Sequence, residues 1–131
     1  RRFGFVVLYV VETRTVKVEP IEAHEQKEVD MEGAAHVKVR MLIGPDDNAP
    51  NFHMRHFEIS PGGHTPHHTH DFEHEVLILS GSGIASSEEG DYPFKTGDVI
   101  FVPAGQQHQF VNNGDRPCTF ICLIPAPGRC G

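Results

Sequence analysis

The chain has 131 residues and a formal net charge of −7, enough for one domain with a real core and too little for two. An acidic balance excludes nucleic acid as a partner, because that needs Lys and Arg clustered on a positive face. It leaves small anionic ligands open, since a bound divalent ion dominates its own neighbourhood. Thirteen Gly, ten Pro and no Trp predict a chain rich in turns rather than a helical bundle.

In chain order, Arg1 and Arg2 followed by "FGFVVLYVV" have the charge-then-apolar order of a signal peptide. The apolar run is short, no small-residue cleavage site follows, and it is too short to span a bilayer. A strand over Phe3 to Val11 is the better reading, and no membrane partner is expected. "TVKVEPI" follows, then "EAHEQKEVD", a helix candidate without a convincing apolar face. "AHVKVRMLIG" alternates Val37, Val39, Met41 and Ile43 on one side. "GPDDNAPN" is a loop, and "FHMRHFEIS" is a strand ending at "PGG". After a histidine run come "EVLILSGSG", "YPF", "DVIFVP", the turn "AGQQ", "HQFVNN", the turn "NGDRP" and "CTFICLIP". Short β-branched strands at such spacing predict an all-β sandwich or barrel.

Cys118, Cys122 and Cys130 do not make a disulfide framework. On a strand, Cys118 and Cys122 would lie about 13 Å apart, beyond the reach of about 7 Å that a disulfide allows. Reduced, buried thiols in a cytoplasmic protein are expected.

The stretch "HHTHDFEHE", His67 to Glu75, packs four histidines and two glutamates into nine residues, a density that points to a metal. In a strand, residues two apart share a face, so His68 and His70 point together and His67 points away. A further ligand must come from beyond Asp71 and Phe72. His74 and Glu75 are both candidates on opposite faces, and alternation does not separate them, because Val76 and Ile78 follow one face while Leu77 and Leu79 follow the other.

With its flanks the run reads Gly62, five residues, His68-Thr-His70, three more, His74-Glu75, then Gly81. Downstream come Gly97, five residues, Pro103, Ala104, Gly105, two residues, His108, three residues and Asn112. The pair resembles the two signature motifs of the cupin superfamily, and the second matches the family pattern at every fixed position. The likeness runs from about Val37 to Pro125. It implies a double-stranded β-helix, the jelly-roll cupin barrel, over residues 37–131, with residues 1–36 as an N-terminal extension that could form a homodimer through the Phe3 to Val11 strand. The string through "HHTHDFEHEVLILSG", with "FICLIP" at the end, is similar to small single-domain cupins with four histidine ligands. That resemblance implies His68, His70, His74 and His108, with Glu75 in place of His74 as the alternative.

Four neutral imidazoles would leave the full +2 charge on the ion, where a glutamate would reduce it to +1. Imidazoles suit one divalent transition metal, Fe, Ni, Cu or Zn, and the family adds Mn. Alternation from His108 puts Phe110 and Asn112 on its face. The resemblance places Phe120 and Cys122 toward the cavity, and Arg55 is a candidate carboxylate clamp. His24 and His36 are expected to be solvated, and Gly62, Gly63, Gly81, Gly97 and Gly105 to serve turns of unusual φ. The function expected is a metal-dependent, dioxygenase-like oxidoreductase on a small organic substrate. The alternatives are a non-catalytic small-metabolite sensor and a metal-assisted lyase or isomerase.

Overall fold

A computed structural model describes residues 15–127. The expected Phe3 to Val11 strand, and Cys130, lie outside the described residues.

Within the described residues the chain forms nine strands: β1 Gln26–Glu28, β2 Ala35–Ile43, β3 Phe52–His64, β4 His74–Ser80, β5 Ser82–Ser87, β6 Gly90–Lys95, β7 Val99–Val102, β8 His108–Val111 and β9 Cys118–Pro125. Every pairing is antiparallel, in the order β6-β5-β8-β3-β9-β4-β7, with β2 also on β3 and β1 on β2. The curled sheet is the jelly-roll barrel expected from the sequence. Among the described residues there is no α-helix. The segment "EAHEQKEVD" holds the end of a 3₁₀ turn, Ile21–Ala23, and β1. It has no apolar stripe to bury as a helix, and β1 instead adds to β2 in the register Gln26↔Arg40, Lys27↔Val39.

Two expectations shift in detail. β3 does not end before "PGG" but continues through it to His64, where it pairs with Val111 of β8. A Cβ on Gly63 would lie 2.6 Å from the Ala35 carbonyl oxygen, so close backbone approach explains this glycine, not a positive φ. The alternation of β2 also breaks. A register shift between Met41 and Ile43 buries Leu42 and leaves Ile43 exposed, as an extra residue in one strand does. Gly81 behaves as anticipated: its φ is +87°, and a Cβ there would lie 2.7 Å from the Cys118 Cα.

The core joins Val37, Ile59, Val76, Ile78, Phe94, Val102, Phe110, Cys118, Phe120 and Cys122. Aromatic rings run through it in series, with centroids 6.3 Å apart for Phe94–Phe110 and 5.3 Å for Phe110–Phe120 and Phe57–Phe120. Asn112, 1% exposed, fastens the turn after β8: its Nδ2 donates to the carbonyls of Ile59 and Arg116, both at 2.8 Å, and its Oδ1 accepts from Gly114 N at 2.9 Å. No helix among the described residues is long and apolar enough to cross a membrane.

Candidate metal centre

Backbone pairing brings the two motifs together. His68 and His108 exchange hydrogen bonds, His68 N to His108 O at 3.2 Å and His108 N to His68 O at 3.0 Å, so their rings sit 5.5 Å apart. His70 follows two residues on, as period-two geometry requires, with its ring 4.2 Å from that of His68 and stacked on Phe72 at 4.7 Å. Its carbonyl accepts from Gly105 N at 2.7 Å, tying the first motif to the turn of the second. One ring nitrogen from each of His68, His70 and His108 lies within 4.8 Å of the others, a grouping able to hold a metal ion.

His74 starts β4 and faces inward with Val76 and Ile78, all three buried. Glu75 faces the other way, exposed, opposite Phe101 and Leu123. The alternation that left the two undecided is settled by the sheet. β4 lies between β7 and β9, and the barrel lies on the Val76 and Ile78 side. The His74 ring is outside the tight trio but only 4.9 Å from the rings of His70 and His108. Its Nδ1 meets the Cys122 thiol at 3.3 Å, and its Nε2 is buried with no hydrogen-bond partner. An orphaned, buried ring nitrogen beside three other imidazoles is the arrangement a metal ion would satisfy.

The protonation states agree. Burial, with the neighbouring His108 and Arg55, lowers the His74 pKa to about 3. Burial and the neighbouring His68 and His108 lower that of His70 to about 4, and burial with His108 also lowers that of His68. All three are neutral at pH 7, the form a metal requires. His108 Nδ1 lies 3.0 Å from the Gln106 carbonyl. Donation there leaves Nε2 free, the usual way a second partner orients a ligand imidazole.

These rings line a cavity of about 630 Å³, whose walls also include Arg55, Phe110, Phe120 and Cys122. All four residues singled out from the sequence as pocket candidates therefore line this cavity. Among the described residues Arg55 makes no ion pair: its Nη2 donates to Cys122 Sγ at 3.4 Å, and its guanidinium lies 4.9 Å from the Phe57 ring centre. Burial raises the pKa of Cys122, against a smaller lowering by Arg55, so the thiol stays protonated. His24 is not solvated as expected: it lines the cavity, its carbonyl accepts from Arg40 Nη1 at 2.5 Å, and its Nε2 lies 3.1 Å from Glu19. Sequence reasoning did not foresee that Val29, Met31, Val37, Val39 and Met41 also line this wall. The alternation of β2 named its part of the wall as one face, without saying what that face covers.

The cupin domain profile matches residues 55–124, more than half of the chain, and the chain belongs to the cupin family. The polyketide cyclase RemF from Streptomyces resistomycificus superposes with a TM-score of 0.80 at 32% identity, over 85% of this chain and 80% of that one. A 1-methylthio-D-xylulose 5-phosphate methylsulfurylase of Rhodospirillum rubrum is 33% identical over 73 residues, 56% of this chain and 47% of the relative. An oxalate-binding protein of Thermotoga maritima is 34% identical over 68 residues, 51% of this chain and 56% of the relative. The chain spans about half the length of these two curated relatives. Their names cover unrelated chemistries, so the family alone does not name the reaction.

Proposed function

We propose that the chain is a metal-dependent enzyme that closes rings in small carbonyl-rich substrates of the polyketide type. His68, His70, His74 and His108 would hold one divalent transition ion. The observation that carries the proposal is the orphaned, buried Nε2 of His74 beside three imidazoles, on the wall of a cavity whose volume fits an aromatic-sized ligand. The likeness to a polyketide cyclase over most of both chains supports the substrate class.

A divalent ion held there would supply Lewis-acid polarisation of a carbonyl oxygen, which makes the adjacent C–H more acidic. The protein's own contribution is shape and dryness. Phe57, Phe110 and Phe120 offer flat apolar walls against which a flexible polyketone can fold so that distant carbons meet. That positioning lowers the entropic cost of a reaction between two ends of one molecule. Ring closure is an intramolecular aldol addition. The α-carbon loses a proton and bonds to a carbonyl carbon, the new alkoxide takes up a proton, and dehydration then releases one water. No oxidant is consumed, which separates this reading from the dioxygenase-like oxidoreductase.

The test is to purify the protein without added metal and load portions with Mn, Fe, Ni, Cu or Zn. Each is then given a synthetic linear poly-β-ketone under an oxygen electrode. Cyclised product lighter by one water, formed faster than with the free ion and without O₂ uptake, is the expected result. Uptake of O₂ with oxygenated product would replace the cyclase by the oxidoreductase. Binding without turnover for every metal would replace both by a sensor.

A further inference from the structure

A guanidinium stays charged at any pH a protein meets, and a charge held away from water without a counter-ion is costly. Arg55 is half-buried on the cavity wall, and no ion pair among the described residues includes it. Its Nε is buried without an acceptor. What the fold offers it is weak: the Cys122 sulfur at 3.4 Å and the face of Phe57.

The two strands opposite it, β2 and β9, supply no carboxylate. Across β2 its partner is Met41, and across β9 it is Cys122. Glu58, on its own strand, has the opposite parity and pairs with Lys38 and Thr119. The carboxylates that line the cavity are Glu25 and Asp46, both exposed. Glu25 lies 3.9 Å from Lys27. A cation so placed, separated from His74 only by the Cys122 sulfur, is arranged for a charge that arrives with the ligand.

We propose that Arg55 is the anchor for a carboxylate on the ligand, which holds the rest of that molecule against the histidine cluster. The planar, multiply donating guanidinium suits a carboxylate better than it suits an isolated carbonyl oxygen. This deepens the cyclase reading by making the substrate a free acid. It rests on the same cavity but not on ring closure, nor on the metal.

The experiment measures binding of a hydroxynaphthoate and of its primary amide to the full chain by calorimetry, metal-free and zinc-loaded, for the parent, Arg55→Met and Arg55→Lys. The parent is expected to prefer the acid by about tenfold or more, the size of a charge-assisted hydrogen bond, in both metal states. Arg55→Met should lose that preference, and Arg55→Lys, which keeps the charge without the fork, should keep part of it. Arg55→Met should also melt no lower than the parent, because it removes an unpaired charge.

Equal affinity of the parent for acid and amide would overturn the proposal, and so would failure to bind either. A preference that survives in Arg55→Met would assign anion selection to another group, and a marked fall in its melting temperature would make Arg55 structural. Acid selection by a protein that closes no ring would refute the cyclase while leaving this anchor standing.

Discussion

The sharpest test of the donor set is to remove His74 and Glu75 separately. His74 is 5% exposed, with one ring nitrogen engaged by Cys122 and the other orphaned in the cavity. Glu75 points out of the barrel from the next position. A four-ligand structural zinc site gains about 10–16 kcal/mol in all, so one donor is worth on the order of 3 kcal/mol. That is about a hundredfold in dissociation constant. His74→Ala is therefore expected to weaken Zn²⁺ binding about a hundredfold, and Glu75→Gln to change it by no more than about twofold. Competition against a chromophoric chelator at pH 7 reads both, with the melting temperature of each metal-free variant as the control for folding. The reverse ranking, or equal losses, would refute the inward assignment of His74 as a ligand.

Cys122→Val should weaken Zn²⁺ about tenfold to a hundredfold by releasing the His74 ring from its thiol partner, with Cys122→Ser restoring part of the loss; identical binding by all three proteins would deny the thiol an orienting role. In metal-free protein, His68, His70 and His74 all have folded pKa values below the unfolded value of about 6.5. Their contribution to stability is therefore fully present above pH 6.5 and is lost as pH falls toward 4 and 3. Urea midpoints measured at successive pH values should decline through that window, and a flat profile down to pH 4 would contradict the shifts. Asn112→Ala strips partners from three backbone groups and should cost about 3 kcal/mol in urea unfolding; a loss under about 1 kcal/mol would mean that water replaces the amide. On the outer face of β4 and β7, Leu77, Val99 and Phe101 are 43%, 79% and 60% exposed, a patch of the kind that marks an interface. We propose that it is buried in a homodimer. Light scattering should find the parent dimeric and Val99→Glu/Phe101→Glu monomeric, and a monomeric parent would remove the interface.

The barrel was legible because its information is local. Period-two alternation in "HQFV" put Phe110 on the face of His108, while the inward face of "CTFICLIP" was chosen by the family resemblance; the glycines at 62, 81, 97 and 105 do adopt positive φ, Gly62 within β3. His68 and His70 could be placed together for the same reason. Position 74 against 75 could not be resolved this way. Which face of β4 looks inward depends on its neighbours β7 and β9, whose pairing spans dozens of residues. Ile43 was misplaced for a related reason: a bulge changes parity without leaving a mark in composition. Arg55 could be named as a candidate carboxylate clamp but not placed, because an arginine on a strand reads the same whether it meets solvent, an aspartate or a cavity. What distinguishes it is that β2 and β9 set Met41 and Cys122 opposite it rather than a carboxylate, a property of distant strands brought together.

The same contrast bears on how the fold tolerates its site. Several imidazoles with centroids about 5 Å apart and an unpaired guanidinium are a poor way to fill a barrel, since each would be better solvated in the unfolded chain. The stabilising contacts lie elsewhere: the long register of β3 with β2 and β9, the stacked phenylalanines, and the Asn112 turn. Those contacts use neither the ligand imidazoles nor the Arg55 guanidinium, so the metal-free protein should fold, with its least stable contacts concentrated at the cavity. Filling the cavity then acts on stability in two separable ways. A cation satisfies the orphaned imidazole, and an anion satisfies Arg55, each adding stability by mass action at its own concentration. Because both charges sit on one wall, separated by Cys122, each occupant should improve the site for the other. Zinc and a carboxylate ligand are therefore expected to raise the melting temperature together by more than the sum of their separate effects, and Arg55→Met should abolish most of that excess. Strict additivity in the parent would show that the two poles do not act on one another.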